Sequence, residues 1–139
     1  MPCEQELFDE LSFYTLAHID PAFIHENSAD AWRAQHADET TKPMAVVFAV
    51  MGLYLYLEKG FTGRQVQLAH MRMARRQRSW PKLPLPKKRA NITVADVVAA
   101  EPGPARDAMI RQWCAAVWET WDESRPPVMA LAKAELDVD

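Results

Sequence analysis

The chain has 139 residues, 49% of them apolar and 25% charged, with a formal net charge of −3. That length suits one domain with an ordinary hydrophobic core, and the composition is that of a soluble globular protein. Two cysteines, Cys3 and Cys114, exclude a disulfide scaffold and fit a reducing compartment; with no basic-then-apolar leader at Met1-Pro2-Cys3-Glu4, a cytoplasmic protein is expected.

The pattern is helical throughout. Four glycines and no clean period-two alternation leave no room for a substantial sheet. A first helix is expected from about Glu4 to His18, with Leu7, Leu11, Tyr14 and His18 on one stripe and Glu4 and Glu6 at its positive end. Asp20-Pro21 then reads as N-cap and first residue of a helix reaching about Ala37. One edge of that helix is polar, with Glu26, Asp30 and Arg33. The other carries Ile24, His25, Ala29, Trp32 and His36.

Pro43 opens a third helix that ends at Lys59-Gly60, where glycine can take the left-handed conformation. Its apolar run, Met44 to Leu57, is shorter than the roughly 20 residues that cross a bilayer, and reads as the central buried helix of a bundle. Thr62 caps a fourth helix to about Ser79. Residues 80–91, with Pro81, Pro84 and Pro86, are expected to be extended and exposed. Thr93 and Asp96 form a capping-box pattern for a short helix. After Pro102-Gly103-Pro104 a helix runs from Ala105 to about Asp122, burying Met109, Ile110, Trp113, Cys114, Val117 and Trp121. Trp118 lies off that stripe and could mark a second contact surface. Pro126-Pro127 begins a last short helix. The expectation is a single all-α domain, a compact bundle of five or six helices around residues 43–59.

Longer strings carry a resemblance. They are Phe13-Tyr-Thr-Leu-Ala-His18-Ile-Asp20-Pro-Ala-Phe23-Ile-His25 and Glu58-Lys-Gly60-Phe-Thr62-Gly63-Arg64-Gln65-Val-Gln-Leu-Ala-His70, with further likeness through Trp113-Cys114-Ala-Ala-Val-Trp118. Over about residues 8–121 the chain resembles a family of small bacterial proteins designated only as a domain of unknown function. The resemblance implies a bacterial, cytoplasmic protein and no assigned activity. Many members of that family begin with a cysteine pair suited to a metal; this chain has only Cys3 there.

Four histidines could take part in chemistry. His25 and His36 lie on one face of a helix but about 16 Å apart along its axis, too far to share an ion. His18 and His25 flank a tight corner, and His70 sits on the flank of the fourth helix's buried face. The expected site is therefore His18, His25 and His70, helped by Asp30 or Glu26, between facing helices. Three such ligands and an open position suit zinc, iron or manganese, and a bound water could act in hydrolysis. The alternative for each histidine is a partly buried ring satisfied by backbone carbonyls or carboxylates. His36 is assigned to structure.

Two charged features remain. Thr62, Gly63 and Arg64 open a helix and could hold an anion, or be a plain helix start. Between Lys59 and Ala95 lie ten of the chain's sixteen basic residues and no acidic one. On the fourth helix Arg64, Arg72, Arg75, Arg76 and Arg78 share an arc opposite Val66, Ala69 and Met73. Lys82, Lys87, Lys88 and Arg89 continue the charge. This surface could meet nucleic acid, with Trp80 for stacking. The favoured reading is that it meets acidic surfaces of its own or a neighbouring chain, which makes a homo-oligomer a further expectation. No recognised nucleic-acid-binding motif accompanies it. Two readings of function follow. One is a metal- or small-ligand-binding bundle centred on the histidines. The other is a non-catalytic interaction module using the basic stripe.

Overall fold

The structure, a computed structural model, describes residues 2–76 and 79–139. The described residues form seven α-helices and no strand. In chain order they are α1 (Glu4–Leu16), α2 (Ile24–Gln35), α3 (Pro43–Glu58), α4 (Gly63–Arg75), α5 (Val94–Ala99), α6 (Pro104–Glu119) and α7 (Arg125–Leu136), with a 3-10 turn at Asp122–Ser124 before the last. Buried residues from all seven helices join one core cluster. None of the described helices is long and apolar enough to cross a membrane.

Local chemistry explains the boundaries. The α4 start is a full capping box: Thr62 Oγ1 accepts from Gln65 N at 3.1 Å and Gln65 Oε1 accepts from Thr62 N at 2.9 Å. Thr93 and Asp96 form the corresponding box at α5. At the α1–α2 corner the Asp20 carboxylate accepts from the Ala22 and Ile24 amides at 3.1 and 2.8 Å. The helix proper begins only at Ile24, because Phe23 turns the corner with φ 57. So Asp20 secures the turn rather than serving as the N-cap residue, and α2 starts three residues later than the Pro21 pattern predicts.

Helix α3 is buried over nearly its full circumference, from Val46 to Leu55. It packs against α2, α4, α6 and α7. The helix expected to be central is central, but α2 shares that place. It packs against α1, α3, α4 and α6, and it buries Glu26, Asn27, Ser28 and Asp30 together with its alanines. The edge that reads as polar in sequence is thus turned inward.

Two close approaches fix α2 against its neighbours. At Gly52 of α3, an added methyl would overlap an Asp30 carboxylate oxygen and lie 2.7 Å from Asp30 Cγ. At Gly63, it would overlap the Phe23 carbonyl oxygen, and the Arg64 amide donates to the Ala22 carbonyl at 2.9 Å. Further out, Tyr14 of α1 ties the start of α6. Its hydroxyl accepts from Gly103 N at 2.8 Å and donates to Asp107 Oδ1 at 2.9 Å.

Two expectations about surfaces are corrected. Segment 80–91 is irregular, but it is not wholly exposed: Leu83 joins the core and Trp80 and Leu85 pack against it. Trp118 is buried and donates its indole N–H to Glu58 at 2.8 Å. Its polar edge is therefore satisfied within the chain and marks no second contact surface.

Candidate metal centre

Glu26 and Asp30 are four residues apart on α2, which places both on one helical face. That face meets α3 and α4. His70 comes from α4. One ligand atom from each of Glu26, Asp30 and His70 lies within 4.8 Å of the others. Asp30 is 1% exposed, and its oxygens have no hydrogen-bond partner among the described residues. Glu26 Oε2 is likewise buried and without a partner.

The tautomer of His70 follows from its neighbour. Nε2 lies 2.7 Å from the Phe48 carbonyl oxygen. A carbonyl only accepts, so Nε2 carries the hydrogen. Burial, its largest influence, lowers the His70 pKa and favours the neutral ring. Nδ1 is then a bare lone pair, 3.6 Å from Glu26 Oε2. The Phe48 ring stacks on the imidazole with centroids 5.1 Å apart and holds its plane. A carbonyl or carboxylate accepting from the distal nitrogen is the usual way a ligating histidine is oriented.

With both carboxyls ionised, three acceptors converge with no donor between them. Burial, and then the neighbouring Glu26 charge, pushes the Asp30 carboxyl well above its ordinary range. Bringing such groups together in the interior is costly unless a cation or a proton joins them. The set offers one imidazole nitrogen and two carboxylates, ligands that zinc, iron and manganese accept. Ligand atoms around an ion at about 2.0–2.2 Å stand roughly 3.3–3.6 Å apart in a tetrahedron, so the site needs a modest inward movement. Glu26, the longest carboxylate arm, can supply it.

The other histidines lie elsewhere. His18 falls beyond the end of α1, is exposed, and lines a separate cavity with Tyr14, Asp20, Asn27 and Tyr56. His25 Nδ1 is 3.0 Å from Thr15 Oγ1, and burial lowers its pKa. Neither joins the cluster formed by His70. His25 directly precedes Glu26, so it projects about 100° away from the carboxylate face. The carboxylates expected only as helpers are two of the three ligand candidates. His36 stays structural: it packs on Trp32 with centroids 3.7 Å apart, and its Nε2 is 2.7 Å from Glu4 Oε2. Cys114 is buried, and burial raises its thiol pKa, which leaves it unreactive.

The charged features resolve differently. The amides expected to hold an anion at Thr62 and Arg64 are engaged by Gln65 and by the Ala22 carbonyl. The Arg64 guanidinium lies 4.6 Å from the centroid of the Phe23 ring. With Gly63 pressed against Phe23 as well, this helix start is used for packing. Arg64, Arg72, Arg75 and Arg76 are exposed opposite buried Val66, Ala69 and Met73; Arg78 lies outside the described residues. Lys82, Lys87, Lys88 and Arg89 are exposed too. Part of this charge meets acids of the same chain: Arg89 pairs with Glu4 at 2.7 Å, and Arg76 approaches Glu135 at 3.9 Å.

A family model spans residues 2–122. The chain belongs to DUF5946, a family of unknown function. Neither a curated protein nor a solved structure matches it. Membership therefore adds no chemistry to the cluster, which rests on its own geometry. Most of the chain, including all three ligand candidates, lies inside the matched span.

Proposed function

We propose that this protein binds one divalent transition-metal ion through Glu26, Asp30 and His70, and uses it as the centre of a small internal site. The observation that carries the reading is the convergence of the His70 Nδ1 lone pair with the buried, partnerless Glu26 Oε2 and Asp30 carboxylate. A cation satisfies all three at once, whereas a shared proton satisfies two. Zinc, manganese and iron suit the ligand set. Three protein ligands leave a position for water, and a metal-bound water loses its proton near neutral pH, which suits a hydrolytic role. The two free cysteines are compatible with a reducing cytoplasm.

The test is elemental analysis of purified protein followed by titration calorimetry of metal-free protein with zinc, manganese and iron(II). One equivalent should bind, and His70→Ala should weaken binding by at least tenfold with the helical circular dichroism retained. Wild-type protein that takes up none of the three metals, or a His70→Ala variant with unchanged affinity, would reject the reading.

A further inference from the structure

The ligand cluster has an open side and a closed side. Asp30 and His70 line a cavity of about 270 Å³, whereas Glu26 is not among its lining residues. An ion held by the three would therefore face this cavity. Arg33 and Lys42 stand in its wall. Both are exposed, and among the described residues neither forms a salt bridge.

The same wall holds the start of α3. Met44 and Ala45 line the cavity and occupy the first turn of that helix, whose N-cap residue Lys42 makes no side-chain capping bond. Pro43 has no N–H and the Val46 amide donates to the Lys42 carbonyl at 3.2 Å, so the first-turn amides left without an intrahelical acceptor are those of Met44 and Ala45, at the positive end of the helix dipole. A helix start of this kind binds oxyanions. Here it sits beside two cations and a buried acid that has no partner. The remaining wall is apolar, with Phe48 and Ala49.

Charge then selects the occupant. The Glu26 and Asp30 carboxylates would cancel the charge of a divalent ion. Arg33 and Lys42 would leave the loaded site positive, so a dianion matches it. Without the ion, the dianion would lose its central electrostatic partner. We propose that the cavity binds a small organic phosphate. One phosphoryl oxygen completes the coordination of the metal, the others meet Arg33, Lys42 and the α3 amides, and the organic part lies against Phe48 and Ala49. A phosphate monoester is largely dianionic at neutral pH, its second pKa being about 6. This inference rests on the metal reading above.

The test uses phenylphosphonate, which keeps the charge and an apolar ring and has no ester to hydrolyse. It is titrated into manganese-loaded and metal-free protein, with calorimetry and phosphorus-31 line broadening as readouts. Binding to loaded protein with broadening by the bound manganese is expected, together with at least tenfold weaker binding to metal-free protein. The Arg33→Gln/Lys42→Gln variant should keep manganese affinity within about threefold yet lose at least tenfold in phosphonate affinity, roughly 1.4 kcal/mol. Both side chains are exposed, so circular dichroism should be unchanged, and the single variants separate the two contributions. Metal uptake without phosphonate binding, or phosphonate binding indifferent to the double variant, overturns this inference and leaves the metal reading standing. Failure to take up metal removes both.

Discussion

Gly52→Ala probes the site without touching a ligand. In a helix interior, alanine is favoured over glycine by about 0.8–1.0 kcal/mol, so a substitution in open space would stabilise the protein. Here the new methyl would overlap an Asp30 carboxylate oxygen, with Asp30 Cγ at 2.7 Å and Val66 Cγ1 at 3.2 Å. Ordinary contact is about 3.5–4.0 Å, so the overlapped Asp30 oxygen must withdraw by about 1.6–2.1 Å or α2 must part from α3. Overpacking of this kind costs about 1–3 kcal/mol. After the helix preference is set against it, metal-free Gly52→Ala should be destabilised by about 0–2 kcal/mol in urea unfolding. The larger effect falls on metal binding. Disturbing the support of a ligand typically costs about 10–100-fold in affinity, and displacing Asp30 itself should reach at least that, read by calorimetry with zinc or manganese. Gly60→Ala is the control: no atom lies within 4 Å of an added Cβ, but φ is 71. It should destabilise the fold by about 1 kcal/mol and leave metal affinity unchanged. If Gly52→Ala instead raised stability by the full helix preference with metal affinity intact, Asp30 would neither rest on Gly52 nor serve as a ligand.

Two further outcomes follow from the same physics. Asp30→Asn keeps the shape and removes a carboxyl that burial strains toward its neutral form; the metal-free variant should melt at or above the wild-type temperature while losing most metal affinity, and a strongly destabilised metal-free variant would show that Asp30 has a structural partner. Glu58 accepts from Arg125 Nη2 at 2.5 Å and from Trp118 at 2.8 Å, and the Arg125 hydrogen bond is the main cause holding its carboxyl below the usual range. Its contribution to stability is therefore full above the unfolded carboxyl pKa of about 4.3 and is lost as pH falls through the lower folded value. Thermal melts from pH 7 to pH 2.5 should show a steeper acid loss in wild type than in Glu58→Gln, and parallel curves would refute the linkage.

What could be read from sequence depended on whether a local rule and tertiary packing agreed. They agree at α3, where an apolar run from Met44 to Leu57 is buried nearly all round. They agree again at Thr62 and Gln65, whose side chains close the expected box. They part at α2. Charged residues are rarely buried, so Glu26 and Asp30 read as a solvent edge, whereas imidazole is the commonest metal ligand and the histidines read as the site. His18 drops out because α1 stops at Leu16, and His25 because it precedes Glu26 by one residue and so leaves the shared face. A signal for the true arrangement was nonetheless present. Gly52 interrupts the apolar run of α3 at a helix-interior cost of about 1 kcal/mol relative to alanine, a cost that makes physical sense where another group must come close. An acidic pair at i and i+4 is that group: Arg33, three residues after Asp30 and on the same helix face, forms a salt bridge with neither acid among the described residues and lines the cavity instead. Glycine in a buried helix, opposite acids spaced by one turn, is thus a testable pattern for a carboxylate seated between helices, and it depends on no histidine motif.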